Sequence, residues 1–379
     1  MKILADSNIL FARDAFSQLG HVTLVKGRDI TRERLSDTDI LLVRSTISIN
    51  KALLYSTPVK YVASATTGID HVDTVFLRDK DIGFSHAPGS NAESVAEYVM
   101  SALVHCAKKK EKKLSDITLG IIGVGNVGSR VLRLAQALGV RCLLNDPPKQ
   151  ALTGSDIYLP LSTVLRESDI ITLHVPLHSE GKDATFRMVN AGFISSMKKG
   201  AFLFNTSRGD VVDETALKNS RHRLGCVVLD VWSNEPNPDA DTIALCDIAT
   251  PHIAGHSYDG KLQGTRMIYE AACAFFLKEI KWHVPNLSDE EKPKSVELGD
   301  NEDAVYSAIS SSYSIMGDDI HFRKIVSMDA ANRGVFFDEL RNNYPKRFEF
   351  CNYTVDVDNK SADNTVSMLS NLGFKVINK

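Results

Sequence analysis

Short apolar runs alternate with amphipathic or turn-rich segments along most of the chain, and polar residues follow many of these runs. In the first 90 residues the runs are rich in aliphatic and β-branched side chains. They lie at 2–5, 22–25, 40–43 and 61–65. Alternation of this kind predicts parallel strands connected by helices. We therefore expect an α/β domain at the start of the chain.

A second series of apolar runs follows a long predicted helix. Ser90-Asn-Ala-Glu93 matches a capping box, and Val95 and Val99 begin an apolar stripe at helical spacing. The later runs lie at 117–122, 140–144, 169–174, 201–205, 227–230 and 248–250. Another long helix is expected over about 258–280. Because ligands bind at the carboxyl ends of parallel strands, a site is expected among the polar residues after these runs.

A glycine-rich segment at 123–128 separates the apolar run at 117–122 from an amphipathic helix. The strand predicted after that helix leads to Asp146. A GxGxxG pattern alone is a weak signal, but here it lies in a strand–turn–helix–strand context with an acid after the second strand. This combination predicts a dinucleotide-binding site. The alternative is a glycine-rich turn followed by a surface aspartate.

Each residue of this fingerprint suits one part of the cofactor. Gly123 permits the tight turn, and Gly125 lets the backbone approach the pyrophosphate. Gly128 allows the helix to pack closely on the strand, and the helix N-terminus favours the phosphate charge. Asp146 would accept the ribose hydroxyls and repel a 2′-phosphate. The fingerprint therefore favours NAD over NADP.

Arg208, Glu235 and His252 each follow an apolar run by a few residues, and their types suit oxidation of an alcohol. Removal of a hydride from an alcohol carbon requires a base for the hydroxyl proton, and histidine serves near neutral pH. A carboxylate behind the imidazole fixes its tautomer, and an arginine can bind a carboxylate with two hydrogen bonds. Singly, each could be structural, but their order after the fingerprint favours catalysis.

The composition excludes several classes of protein. The 379 residues predict two or three domains, and 43% hydrophobic with 24% charged residues is typical of a soluble globular protein. A net charge of −3 gives no reason to expect a nucleic-acid partner. The six cysteines form no CxxC pair, which indicates reduced cytoplasmic thiols and no metal site. No apolar run approaches the length of a membrane span.

With these motifs in this order, residues 1 to about 285 resemble the D-isomer-specific 2-hydroxyacid dehydrogenases. The resemblance implies NAD as the cofactor and Arg208, Glu235 and His252 as the catalytic residues. Short stretches resemble one branch of the family, whose members oxidise a phosphorylated 2-hydroxy acid at C2. These stretches are 43–45, 65–73, 146–148 and 253–265. We therefore predict NAD-dependent oxidation of such a substrate.

The resemblance also implies binding residues. Besides the three glycines, those implied for NAD are Asn126, Val127, Asp146, Val175, Thr206, Ser207, Arg208, Asp230 and Gly255. Those implied for the substrate are Ser45, Thr66 and His256. His256 stands at a position where tyrosine is common. Val175 stands where threonine is common, so at this position NAD would be contacted only by the backbone. From their residue types, Arg44 and the turn at Gly68 could bind phosphate or carboxylate, although Arg44 could instead form a structural ion pair.

The resemblance implies a Rossmann NAD-binding domain, 91–257, inserted in a flavodoxin-like substrate-binding domain, 1–90 and 258–285. Residues 286–379 begin with an acidic linker and continue as a small α/β module that resembles a dimerisation domain. Its aromatic residues include Phe336, Phe337, Phe348, Phe350 and Tyr353. They exceed what so small a module needs for its own core, so we expect a homodimer. The alternative is a self-contained domain packed on its own chain.

Two other functions remain open. Another family member, such as 3-phosphoglycerate dehydrogenase, also acts on a phosphorylated 2-hydroxy acid, so the three catalytic residues do not separate the two. A protein of a different class, an NAD-dependent interaction protein that acts like a corepressor, is the second. The complete catalytic set and the small, non-basic C-terminal module disfavour it.

Overall fold

The computed structural model describes residues 1–288, 291–293, 295–298, 304–357 and 363–378. The chain forms two compact units. The first contains Met1–Asn91 and Ser257–Glu291, and the second contains Ala92–His256 and Lys292–Lys379. The segment for which the sequence predicts a separate C-terminal domain thus belongs to the same compact unit as residues 92–256.

Many helices begin at a side chain that accepts a hydrogen bond from the first turn, as at Asp213 and Ser257. In chain order the helices are α1 Ala12–Phe16, α2 Lys51–Leu54, α3 Thr74–Asp79, α4 Ala92–Lys109, α5 Asn126–Ala137, α6 Pro147–Thr153, α7 Leu161–Glu167, α8 Ala191–Ser196, α9 Glu214–Ser220, α10 Ala240–Leu245, α11 Tyr258–Phe275, α12 Ala304–Ser312, α13 Ile315–Phe322, α14 Ala330–Asn342 and α15 Asp363–Leu372. Among the described helices, none has the length and apolar character needed to cross a membrane.

The first unit contains a five-stranded parallel sheet. Its strands are β1 Lys2–Asp6, β2 His21–Val25, β3 Ile40–Val43, β4 Tyr61–Ser64 and β5 Gly83–His86, in the order β2-β1-β3-β4-β5. Every residue of β3 and β4 is buried, because both sheet faces carry a hydrophobic cluster. Phe16 and Tyr269 pack on one face, and Leu35 and Leu54 on the other. Burial of both faces explains why these strands read as continuous apolar runs.

The second unit contains a six-stranded parallel sheet. Its strands are β6 Thr118–Ile122, β7 Arg141–Asn145, β8 Ile170–Leu173, β9 Phe202–Asn205, β10 Cys226–Leu229 and β11 Ile248–Ala249, in the order β11-β10-β9-β8-β6-β7. Strand β7 lies on one side of β6, and strands β8 to β11 lie on the other, so the strand order reverses between β6 and β8. Ligands bind at such a switch point, beyond the carboxyl ends of the strands. The predicted α/β class with a Rossmann-like nucleotide domain is confirmed.

A small parallel sheet lies in the C-terminal part of the second unit. It consists of β12 Val296–Glu297, β13 Thr354–Val357 and β14 Lys375–Asn378, in that order. Strand β13 begins only at Thr354, because Phe350–Asn352 form a 3₁₀ turn. The apolar pattern of helix α13 is interrupted by the buried Asp319, which lies between the buried Ile315 and Phe322.

The aromatic side chains of the C-terminal segment pack inside their own chain. Phe337 is fully buried, and Phe350 keeps only 1% of its surface exposed. Phe350 stacks on Phe374 with 4.6 Å between ring centroids, and Phe337 packs edge-on against Phe322 at 5.9 Å. These buried aromatic side chains therefore belong to the core of a single chain. They are no argument for a partner subunit.

Candidate active site

The fingerprint glycines occupy the turn between β6 and α5. Gly123 has a φ of +83°, and a Cβ there would lie 2.6 Å from the carbonyl oxygen of His174. A Cβ on Gly128 would lie 2.0 Å from the carbonyl oxygen of Gly123. A Cβ on Gly125 would meet no atom within 4 Å, so packing inside the chain does not require this glycine. The open space over Gly125, at a helix N-terminus, fits the pyrophosphate of NAD.

Asp146 joins this turn to the next helix. Its Oδ2 accepts a hydrogen bond from Val124 N (2.8 Å), and its Oδ1 caps α6 by accepting one from Lys149 N (3.0 Å). A carboxylate has about four acceptor positions, so both oxygens can still accept ribose hydroxyls. Asp146 therefore has a structural role in addition to the one predicted for it, and its contact with NAD stays a prediction.

His174 follows β8 and faces the residues predicted to contact NAD. Its Nε2 lies 2.9 Å from Thr172 Oγ1, and its Nδ1 lies 3.3 Å from Thr206 Oγ1. Burial lowers the pKa of His174 to about 3, so this imidazole is neutral near pH 7. Val175 borders the same turn, with its Cγ1 2.9 Å from the Cβ position of Gly123. This histidine therefore supports the wall of the NAD site.

Arg208 lies in a loop after β9 whose shape the buried Asn205 maintains. Asn205 Oδ1 accepts hydrogen bonds from Ser207 N (3.0 Å) and Ser207 Oγ (2.7 Å), and Asn205 Nδ2 donates to the Arg208 carbonyl (2.8 Å). A Cβ on Gly209 would lie only 1.9 Å from the carbonyl carbon of Trp232. The Arg208 loop therefore packs directly on the loop that carries Glu235.

Glu235 and His252 form a hydrogen-bonded pair. His252 Nδ1 lies 2.8 Å from Glu235 Oε2, and Trp232 N donates to Glu235 Oε1 (3.0 Å). Burial raises the pKa of the Glu235 carboxyl, but His252, through its charge and hydrogen bond, and the charge of Arg341 together hold that pKa below its usual range. The His252 side chain is 36% exposed, and its Nε2 is the nitrogen that remains for a substrate. This is the arrangement of a carboxylate-supported general base.

Asp230, at the end of β10, is buried and fixes the segment that carries His252. Its Oδ1 accepts hydrogen bonds from Ile253 N (2.8 Å) and Thr250 Oγ1 (2.7 Å). Its Oδ2 accepts one from Ala254 N (3.0 Å), and its carbonyl accepts one from His252 N (2.6 Å). His252 has a φ of +57°, a conformation that few non-glycine residues adopt. Contacts of Asp230 and Gly255 with NAD stay predictions.

The first unit gathers four of the five residues predicted for the substrate at one edge of its sheet, whereas His256 belongs to the second unit. β3 and β4 are neighbours, so Arg44 and Ser45 after β3 lie beside Thr66 and Gly68 after β4. Thr66 Oγ1 donates to the Gly68 carbonyl (2.8 Å) and lies 2.7 Å from Ser64 Oγ. Ser45 is exposed and Arg44 is partly buried. Both sequence segments thus contribute polar groups to one carboxyl edge.

Residues near the C-terminus also contact the segment that follows His252. The buried Arg347 donates through Nη2 to the carbonyls of Ala254 (2.6 Å) and Ser94 (3.1 Å). The ring of Tyr344 packs edge-on against His256, with 6.0 Å between centroids. Sequence reasoning missed both residues, because nothing local links them to residues 254–256.

A family comparison agrees with this arrangement. Residues 92–254 match the model for the NAD binding domain of D-isomer specific 2-hydroxyacid dehydrogenases. This range contains the fingerprint and all three predicted catalytic residues. Residues 292–373 match a second model, described as a domain of unknown function. The fold and the site thus define an NAD-dependent dehydrogenase.

The chain is similar over its full length to proteins named erythronate-4-phosphate dehydrogenase. It is 42% identical to the protein from Salinibacter ruber over 99% of both chains. It is 40% identical to the protein from Proteus mirabilis over 100% of both chains. The chain belongs to the D-isomer-specific 2-hydroxyacid dehydrogenase family.

Solved structures of the same fold bind NAD. The D-lactate dehydrogenase of Aquifex aeolicus, complexed with NAD and lactic acid, is 26% identical with a TM-score of 0.61, covering 73% of this chain and 96% of the other. A 3-phosphoglycerate dehydrogenase of Entamoeba histolytica with NAD⁺ bound has a TM-score of 0.63 at 24% identity, covering 76% and 99%. The predicted enzyme class and cofactor are confirmed at the level of the family.

Replacement of Glu235 tests the pairing with His252. In Glu235→Gln the protonated imidazole loses its anionic neighbour, so it releases its proton more readily. The acidic limb of the kcat/KM profile should move to lower pH by about one to three units, the usual effect of a close opposite charge. We expect kcat itself to fall. A pH–rate profile that coincides with that of the unmodified enzyme would show that the carboxylate does not act through His252.

Proposed function

We propose that this enzyme oxidises the C2 hydroxyl of 4-phospho-D-erythronate to a ketone, giving (R)-3-hydroxy-2-oxo-4-phosphooxybutanoate. This reaction is a step in the biosynthesis of pyridoxal 5′-phosphate. The observation that carries the proposal is full-length similarity, at 40% identity and above, to proteins named for this substrate. The hydrogen-bonded pair of Glu235 and His252 supports the chemistry.

In the proposed mechanism His252 is the general base, and the carboxylate of Glu235 supports it electrostatically. His252 Nε2 accepts the proton of the C2 hydroxyl, because its Nδ1 is already bonded to Glu235. The Glu235 carboxylate then stabilises the imidazolium and keeps the ring in place. NAD, held at the turn of Gly123 and Gly125, would supply the acceptor for the hydride that leaves C2. Arg208 is proposed to bind the substrate carboxylate and the C2 oxygen as the new carbonyl forms.

Two other functions are less well supported. 3-Phosphoglycerate carries the same functional groups, but the relative that acts on it shares only the fold with this chain. An NAD-dependent interaction protein that acts like a corepressor would not need a hydrogen-bonded pair with an exposed His252. Both alternatives can be separated by turnover measurements.

The substrate assignment is tested by NADH formation at 340 nm. The enzyme is supplied with NAD and either 4-phospho-D-erythronate or 3-phospho-D-glycerate. We expect a higher kcat/KM for 4-phospho-D-erythronate, and His252→Asn should lower kcat by about 10²–10⁴. Faster turnover of 3-phospho-D-glycerate would change the substrate assignment but not the type of reaction. No turnover of either acid would favour the interaction protein.

Selectivity for NAD is proposed to depend on the charge of Asp146. Asp146→Asn keeps an oxygen that can cap α6, but it removes the charge that repels a 2′-phosphate. We expect the ratio of kcat/KM for NAD to that for NADP to fall about tenfold, equivalent to about 1.4 kcal/mol. A thermal unfolding measurement checks that the turn survives. An unchanged ratio in a folded variant would mean that Asp146 is only structural.

The enzyme is further proposed to be a homodimer joined through its C-terminal segment. Ile320 and Val335 support this, because their side chains keep 61% and 58% exposure in the single chain. Sedimentation should give twice the chain mass of 41.7 kDa. Val335→Asp should shift the protein toward monomer, whereas Asn343→Asp adds the same charge at another exposed position and should not. A monomeric unmodified enzyme would disprove the homodimer.

A further inference from the structure

Arg341 on α14 is a cation that leaves one buried N–H donor unused within the described part of the chain. Its Nε is buried and has no acceptor among those residues. Its guanidinium lies over the ring of the buried Phe337, with Cζ 5.6 Å from the ring centroid. A guanidinium carries five N–H donors, and a buried donor without an acceptor destabilises the fold. The side chain is therefore suited to a ligand that supplies acceptors.

Helix α14 packs directly on the loop that carries Glu235. Phe337 packs on Phe322, whose ring centroid lies 5.5 Å from that of Trp232. Trp232 N in turn donates to Glu235. Near the start of the same helix, a Cβ on Gly334 would lie 2.7 Å from Oδ1 of Asn237 in this loop. One direct contact at Gly334 and one relayed through Phe322 thus hold α14 against this loop.

The positive charge of Arg341 acts on the carboxylate of Glu235. Burial raises the pKa of Glu235, and Arg341 is among the charges that act against burial and lower it. A cation whose charge acts on Glu235 also attracts an anionic group of a molecule held by His252. Arg341 is separate from Arg208, which lies in the loop after β9 and is proposed to bind the carboxylate end.

We propose that Arg341 binds the phosphate group of the substrate. This inference rests on the proposed function, since it concerns a 2-hydroxy acid with a phosphate at its other end. Arginine presents parallel N–H groups that match two phosphate oxygens. With Arg208 on the carboxylate, the second anionic group of the substrate requires its own cation. The C-terminal segment would then determine substrate specificity in addition to any role in assembly.

The test compares two substrates in Arg341→Met. We expect kcat/KM for 4-phospho-D-erythronate to fall about 10- to 100-fold, the range for hydrogen bonds to a charged group. The value for D-erythronate, which lacks the phosphate, should stay within about twofold. Arg341→Lys keeps the charge without the parallel donors and should lie between. Arg333→Met removes an arginine from the same helix and should leave both values unchanged.

Competition by inorganic phosphate gives a second measurement. Phosphate should inhibit the unmodified enzyme competitively against the phosphorylated substrate, and this inhibition should weaken in Arg341→Met. An equal fall in kcat/KM for both substrates, or a shifted pH–rate profile with unchanged phosphate inhibition, would overturn the proposal by placing the effect on Glu235. If Arg341→Met does not fold, as judged by thermal unfolding, Arg341→Lys decides by the same criteria.

A failure of the proposed function would look different. The unmodified enzyme would then not oxidise 4-phospho-D-erythronate, whatever the state of Arg341. Phosphate binding to the unmodified protein and to Arg341→Met, measured by calorimetry, would still test the site. Loss of phosphate binding in the variant would support the site without the substrate. Equal phosphate binding by both proteins would overturn the site as well.

Discussion

The active-site loops depend on one buried carboxylate, that of Asp230. Its two oxygens accept three hydrogen bonds from residues 250–254, and its carbonyl accepts a fourth from His252 N. A left-handed backbone at a non-glycine residue costs on the order of 1–3 kcal/mol, and His252 adopts one. These bonds offset that cost, and they also satisfy a buried acid whose pKa burial raises. These hydrogen bonds therefore restrict the positions that the His252 imidazole can occupy.

Direct backbone packing connects the other catalytic loop to this one. Gly209 lies against the backbone of Trp232 so closely that a Cβ would not fit. Trp232 donates through Nε1 to the Thr250 carbonyl (2.9 Å) and through its backbone N to Glu235. The residue after Arg208, the loop of Glu235 and the segment of His252 are thus mutually supported. Such support lets His252 and Glu235 remain aligned without help from a substrate.

The sequence predicted those parts of the site that local chemistry determines. The fingerprint at 123–128 could be recognised because strand, turn and helix follow one another directly in the chain. The pairing of Glu235 with His252 could be predicted only as an order of residue types, since their 2.8 Å contact depends on how two loops fold. Arg341 and Arg347 could not be assigned, because residues far away in the sequence surround them. Composition also could not show that Phe337 and Phe350 are buried within the chain, because that burial depends on residues far away in the sequence.

The C-terminal segment is hydrogen-bonded to the segment that carries His252. Arg347 bonds to the carbonyl of Ala254, next to the amides that Asp230 holds. Burial of a guanidinium is costly unless its partners are fixed, and this one also lies 4.4 Å from the ring of Tyr313. A movement of this segment would therefore displace residues 252–254 through the hydrogen bonds of Arg347 and Asp230. The segment is an extension of the catalytic unit whether or not a second subunit is bound.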